Sequence, residues 1–304
     1  MVEVGTAANQ TANAAKLMRW ATYASVSVAS VLIVTKIVAW LFTDSVSLLS
    51  TLIDSLLDAA ASVINLVAVH HALQPADDEH RFGHGKAEPL AALAQSAFIV
   101  GSALFLIFES FERIFHPTKI MNPEIGYGVM VFSILITVGL VIFQRYVVRQ
   151  SGSLAIGADS LHYQTDVMIN GSVLVSIFLV TELGIILADP IFAIGIALFI
   201  SFMAWKIGIE ALNILMDSEL PDGDRRKIIE IACAQDGVEG VHDLRTRSSG
   251  SKVFIQMHIE MDGDMPLYRA HEIADVVELA VGAAYPKSEV IVHQDPNDIE
   301  CEKV

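Results

Sequence analysis

Asp54 and Asp58 stand four residues apart within an otherwise apolar run, and His162 and Asp166 repeat the spacing in another. A separation of four stacks two side chains on one helix face, about 6 Å apart along the axis. Three carboxylates and an imidazole make a four-donor set suited to zinc or cadmium, whereas magnesium and calcium prefer oxygen alone. If both runs cross a membrane, each mid-bilayer Asp costs roughly 2.5–3.5 kcal/mol, about 10 kcal/mol for three. Mutual repulsion adds about 2–3 kcal/mol per pair at about 6 Å and an effective dielectric near 20. Neither run holds a Lys or Arg to offset this. A dication between the two faces would reverse the sign of both contributions. Protonation or hydrogen bonding to neighbouring helices is the competing account; it suits a lone intramembrane Asp better than two matched pairs.

A second cluster lies in Asp77-Asp78-Glu79-His80-Arg81-Phe82-Gly83-His84-Gly85-Lys86. Asp77, His80 and His84 have metal-ligand spacing, and the glycines permit a tight wrap. A solvated polar loop explains the same residues. The last ninety residues hold His242, His258, His271 and His293, with Asp295 close behind. Spacing alone does not assemble these, but histidines on adjacent strands of a small sheet can converge. A bridging Asp295 would offset the repulsion between two close metal ions; surface or core histidines are the alternative.

Other polar residues read more plainly. His271-Glu272-Ile273-Ala274-Asp275 resembles the start of a zinc-protease helix but lacks the second His, and with it the two-imidazole grip. His70, His71 and His116 read as interfacial groups. Lys36 either snorkels or pairs with a carboxylate. Asp159, one turn before His162, either extends the site or faces water.

The elements that must position these residues follow from hydropathy. The chain is 304 residues long, 53% apolar and 18% charged, too oily for a soluble globule of this size. Six apolar segments are predicted, at 21–42, 46–73, 89–111, 125–143, 154–180 and 183–207, each near or beyond the roughly 20 residues that span a bilayer core. An even number places both termini on one side. One set of connections holds Lys16, Arg19, Arg81, Lys86, Arg145, Arg149 and Lys206, and the other only Arg113 and Lys119, so both termini are expected in the cytoplasm. The polar, Pro- and Gly-containing stretch 216–224 ends the membrane region. Beyond it, helix 225–235, strands 238–246 and 252–261, helix 267–285 and strand 289–293 give the order αββαβ, a ferredoxin-like α+β domain. The expected division is a six-helix transmembrane domain at 1–214 and a cytoplasmic domain at 215–304.

Charge is divided unevenly between these parts. Residues 1–214 carry 10 basic and 16 acidic groups, and residues 215–304 carry 9 and 19, so the tail holds −10 of the net −16. Such a tail repels nucleic acid and favours cations. Cys233 and Cys301 are too few and too separated for a disulfide framework or a Cys-rich metal site. The first sixteen residues lack the pattern of a removable signal peptide.

The intramembrane pairs, the Asp77…His80…His84-Gly85-Lys86 loop, the tail motif His242-Asp243-Leu244-Arg245-Thr246-Arg247 and His293-Gln294-Asp295-Pro296 together resemble the cation diffusion facilitator family, from the first helix through about Pro296. The resemblance implies a homodimeric, proton-coupled exporter of the bacterial inner membrane, embedded in lipid through six helices and dimerising through a metallochaperone-like cytoplasmic domain. It implies a transport site of Asp54, Asp58, His162 and Asp166, a loop site of Asp77, His80 and His84, and a two-metal site of His242, His258, His271, His293 and Asp295. It also implies a pairing of Lys86 with Asp217, and an apolar gate at Leu161. The cargo it implies is Zn²⁺, with Cd²⁺ or Fe²⁺ as alternatives. Asp54 stands where eukaryotic zinc exporters of the family resemble one another in having His, and their His-rich loop is missing from 144–153, which loosens the case for strict zinc selectivity. A membrane-anchored metal sensor, a passive channel and an intramembrane metalloenzyme are the rival readings. The first gives no reason for costly mid-membrane polar groups, the second would not move protons in the opposite direction, and no nucleophile or water-activating motif supports the third.

Overall fold

A computed structural model describes residues 2–43, 46–115, 123–183 and 187–297. His116, Lys119 and Cys301 lie outside them, as do the side chains of Asp54 and Arg113. The chain divides into two compact units, one ending at Leu212 and the other starting at Asn213.

The first unit is built from six long helices: α1 (Val2–Thr43), α2 (Val46–Ala72), α3 (Ala87–Phe115), α4 (Pro123–Ser151), α5 (Leu154–Leu183) and α6 (Ala188–Leu215). The first five predicted apolar segments fall on α1 to α5 to within a residue, while the sixth, 183–207, begins before α6, which starts at Ala188. Most of the helices outrun their segments, because backbone hydrogen bonding continues past the apolar stretch into polar flanks; α1 starts at Val2 rather than near residue 21. Among the described residues, five stretches are long and apolar enough to cross a membrane, on α1, α2, α3, α4 and α6. The apolar run of α5 is interrupted by Asp159, His162, Gln164, Asp166 and Asn170, and α5 is not in that set.

Large apolar side chains such as Val34, Leu41, Phe105, Phe108, Leu135 and Trp205 point outward from this unit, the arrangement expected of a surface solvated by lipid tails. Small residues bring the helices close. Ala92, Ala158 and Ala211 pack together from α3, α5 and α6, and a Cβ at Gly208 of α6 would lie 2.9 Å from Oγ of Ser96 on α3. Leu161 is buried with Ile99 of α3 and Ile200 and Ala204 of α6.

The second unit holds α7 (Asp222–Cys233), β1 (Gly240–Ser249), β2 (Lys252–Met261), α8 (Leu267–Ala284) and β3 (Ser288–Pro296), the predicted αββαβ order. The sheet order is β1-β2-β3, with β1 and β2 antiparallel and β2 and β3 parallel. Gly250, at φ 59, supplies the left-handed residue of the tight β1–β2 turn. The core lies between the helices and one sheet face. It contains Ile255, Met257, Ile259 and Met261 from alternate positions of β2, Val292 of β3, Ile228 of α7, and Ile273, Val277 and Val281 of α8. Period-two alternation therefore leaves Gln256, His258 and Glu260 on the opposite face.

Candidate metal centres

Within the first unit, α2 and α5 bring one cluster together. Nε2 of His162 is 3.0 Å from Oδ1 of Asp58 and 4.0 Å from Oδ2 of Asp166. Ligands about 2.0–2.2 Å from a tetrahedral zinc lie roughly 3.3–3.6 Å from one another, so the two distances straddle that spacing and the donor set fits the ion. His162 is buried, its ring edge-on to those of Phe98 and Tyr163, while both carboxylates are partly accessible. Asp54 sits one turn before Asp58 on α2.

Asp159 does not face water. It is 1% exposed, and its Oδ2 accepts hydrogen bonds of 2.7 Å from both Ser25 Oγ of α1 and Gln144 Nε2 of α4. Tyr163 donates to the carbonyl of Ser25 and shares a hydrogen bond with Ser62 Oγ of α2. This network ties α1, α2, α4 and α5 together one turn from His162. Sequence reasoning missed it, although Ser25 and Gln144, polar residues inside or beside apolar segments, were the available signal. Lys36 of α1 donates to Ser55 Oγ of α2.

The loop between α2 and α3 gathers Asp77, His80 and His84. Oδ1 of Asp77 is 3.3 Å from Nδ1 of His80, and its Oδ2 is 3.2 Å from Nε2 of His84. The backbone N–H of His80 donates to Asp77 Oδ1 at 2.6 Å and, with the nearby imidazoles, holds this carboxyl below the usual carboxylate range. His84 is buried, and its Nδ1 has no hydrogen-bond partner among the described residues. Gly83, at φ 82, takes the left-handed conformation that wraps the loop. Lys86 belongs to the first unit and Asp217 to the second, where Oδ2 of Asp217 is 3.6 Å from Nη1 of Arg247.

In the second unit, strand register assembles what sequence spacing left scattered. His242 of β1 lies opposite His258 of β2, which lies opposite His293 of β3. The next row on the same face is Gly240, Glu260 and Asp295. Oδ2 of Asp295 is 2.8 Å from Nδ1 of His258 and 3.1 Å from Nε2 of His242, and its Oδ1 is 3.1 Å from Nε2 of His293. One carboxylate thus reaches three imidazoles through two oxygens, a geometry that fits a bridge between two ions. Burial alone would raise the Asp295 carboxyl, but the hydrogen bond from His258 and the neighbouring imidazoles outweigh it and leave it below the usual range.

His271 is not part of this gathering. On α8 its side chain is 68% exposed, and its nearest acidic partner is Asp275, one turn on, at 3.7 Å. Two groups that the sequence reading did not assign to the site stand at the rim. Asp243, at φ 44 in a bulge between His242 and Arg245, is gripped by Arg245, which holds its carboxyl low, and comes 3.8 Å from Nε2 of His258. Glu260 Oε1 is 3.0 Å from Nδ1 of His242.

Comparison with known proteins gives matches to both units. Residues 22–216 match the family described as the cation efflux transmembrane domain, and residues 220–297 match the cytoplasmic domain of cation efflux proteins. The chain is 51% identical over 281 residues to the cation-efflux pump FieF of Salmonella paratyphi A, covering 92% of this chain and 93% of that one. The same figures hold for FieF of Salmonella agona. Among solved structures, a variant of MamM CTD in a nickel form is 29% identical, with a TM-score of 0.25, over 26% of this chain and 100% of its own.

Proposed function

Because the chain belongs to the cation efflux family, whose members are also called cation diffusion facilitators, and is therefore a transporter rather than an enzyme, we propose that it exports Zn²⁺ from the bacterial cytoplasm in exchange for protons. Cd²⁺ and Fe²⁺ are alternative cargo, since a site of carboxylates and one imidazole accepts all three. The observation that carries the reading is the convergence of Asp58, His162 and Asp166 from α2 and α5 within the apolar unit. Asp54 is proposed as the fourth ligand on its position in α2, one turn from Asp58.

The chemistry of this set links metal to proton. An imidazole must be neutral and a carboxylate ionised to ligate, so metal and proton compete for the same lone pairs. Zn²⁺ entering from the cytoplasm displaces protons, and protons arriving from outside displace Zn²⁺ outward as the unit alternates its access. Leu161, buried against Ile99, Ile200 and Ala204 beside His162, is the proposed apolar gate. The network around Asp159 keeps α5 in register with α1 and α4 during that change.

The cytoplasmic part, residues 215–304, is proposed to bind two metal ions through His242, His258, His293 and Asp295, with His271 as a further ligand, and to dimerise with a second copy of the chain. Occupancy biases the transporter by differential affinity for its conformations. The loop trio Asp77, His80 and His84 is proposed as a third site, and Lys86 with Asp217 as an interlock between the two parts. The inner membrane, with both termini cytoplasmic, is the proposed location.

Zinc-driven proton flux in liposomes tests the reading. Asp58→Ala should reduce the flux to the background of empty vesicles while the purified dimer elutes unchanged. Undiminished flux from this variant would remove the site assignment, and zinc uptake without any opposing proton movement would replace exchange by a passive channel.

A further inference from the structure

The two-metal reading accounts for Asp295 and the three sheet histidines, but leaves unexplained a carboxylate on the same sheet face. Glu260 occupies the row beside the histidines, flanked in register by Gly240 on β1 and Asp295 on β3. Its side chain does not stand straight out from β2. It leans over β1, so that Oε1 comes 3.0 Å from Nδ1 of His242, while Nε2 of the same ring is 3.1 Å from Oδ2 of Asp295. Nδ1 of His242 is buried and makes no hydrogen bond of normal geometry among the described residues; Oε1 of Glu260 is the carboxylate oxygen beside it.

That lean is possible because residue 240 has no side chain. A Cβ there would sit 2.5 Å from Oε2 and 3.1 Å from Cδ of Glu260, so the carboxylate would have to swing away from its present place beside His242. Gly240 is not at a positive φ, so the backbone does not demand glycine at this position. The space above it is filled by the Glu260 carboxylate.

We propose that Glu260 is a positioning residue of the cytoplasmic metal site: it accepts a hydrogen bond from the Nδ1–H of His242, turns Nε2 toward Asp295 and the metal, and depends on Gly240 for the room to do so. A carboxylate accepting the second ring N–H of a ligating histidine fixes the tautomer and raises the basicity of the metal-binding nitrogen. His258 turns Nδ1 to Asp295, and among the described residues its Nε2 has no comparable partner: Asp243 stands 3.8 Å away and is already held by Arg245. The effect of Glu260 therefore runs through His242 alone. The inference rests on the two-metal reading above.

The test is calorimetric titration of Zn²⁺ into the full-length chain in detergent, in a background of Asp58→Ala and Asp77→Ala that removes the other two candidate sites. Glu260→Gln keeps the volume and removes the charge. It should weaken zinc binding about ten-fold, the usual consequence of losing such a partner. Gly240→Ala, which leaves the carboxylate intact but closes its path, should weaken binding in the same direction. In a His242→Ala background, Glu260→Gln should change nothing further. Full affinity in Glu260→Gln, or an equal additional loss in the His242→Ala background, would overturn the positioning role. Unchanged zinc binding in Asp295→Ala would instead overturn the two-metal site itself, so the two failures are distinguishable.

Discussion

In the proposed transport site, the imidazole of His162 would decide which dications the membrane cluster favours. Asp58 and Asp166 offer oxygen, which every hard or borderline divalent ion accepts; the nitrogen tilts the set toward zinc and cadmium. Replacing it by a carboxylate, His162→Asp, should relax selectivity toward manganese and diminish cadmium transport, read as competition between metals in vesicle uptake. An unchanged order of preference would mean that the ring does not ligate. The four-residue spacing that pairs Asp54 with Asp58 and His162 with Asp166 is visible in the sequence because helix geometry converts it directly into a shared face, whereas the meeting of the two pairs is a matter of helix packing. Asp159 is different: its fate depends on Ser25 and Gln144, two residues on other helices, and nothing within α5 records their approach. His271 shows the converse. Its type and neighbourhood fit a ligand, yet α8 turns it away from the sheet histidines of its own chain.

At the scale of the element, β2 does two jobs through one alternation. Ile255, Met257, Ile259 and Met261 face α7 and α8, and His258 and Glu260 face outward with the other metal-binding candidates. The run 252–261 is legible as a strand with the bounds the structure gives, because apolar and polar residues alternate along it and the Gly250 turn precedes it. The register that sets His242 beside His258 and His258 beside His293 is not legible, since it is fixed by pairing across strands and by a bulge at Asp243, a residue whose positive φ no propensity announces. The C-terminal end of β1 and both ends of β3 extend past the predicted spans for the same reason, as pairing partners carry the strand beyond its apolar residues, whereas β1 begins at Gly240, inside its predicted start at 238. Truncating the buried face should leave the metal face in place. Ile259→Ala, at a fully buried position, should cost about 2–5 kcal/mol in urea unfolding of the cytoplasmic unit, while the folded protein still binds zinc with unchanged affinity. A stability change below about 1 kcal/mol would mean that the site collapses without a cavity.

For the whole molecule, hydropathy separates two units before any contact is known, because an apolar surface solvated by lipid and an acidic tail solvated by water require different compositions. The structure divides the chain between Leu212 and Asn213, inside the last turns of α6, close to the polar stretch that ends the apolar segments. Membrane orientation and the interlock of Lys86 with Asp217 are proposed from charge placement and resemblance, quantities that reside between units and between copies rather than within either. The account's central claim is that donors from two membrane helices close around one dication. The zinc K-edge absorption spectrum of the purified chain carrying Asp77→Ala and Asp295→Ala tests it most directly. The account predicts one retained zinc per chain with four oxygen or nitrogen neighbours at about 2.0–2.2 Å, including a single imidazole whose scattering disappears in His162→Ala. No retained zinc, or an imidazole signal that persists in His162→Ala, would contradict it.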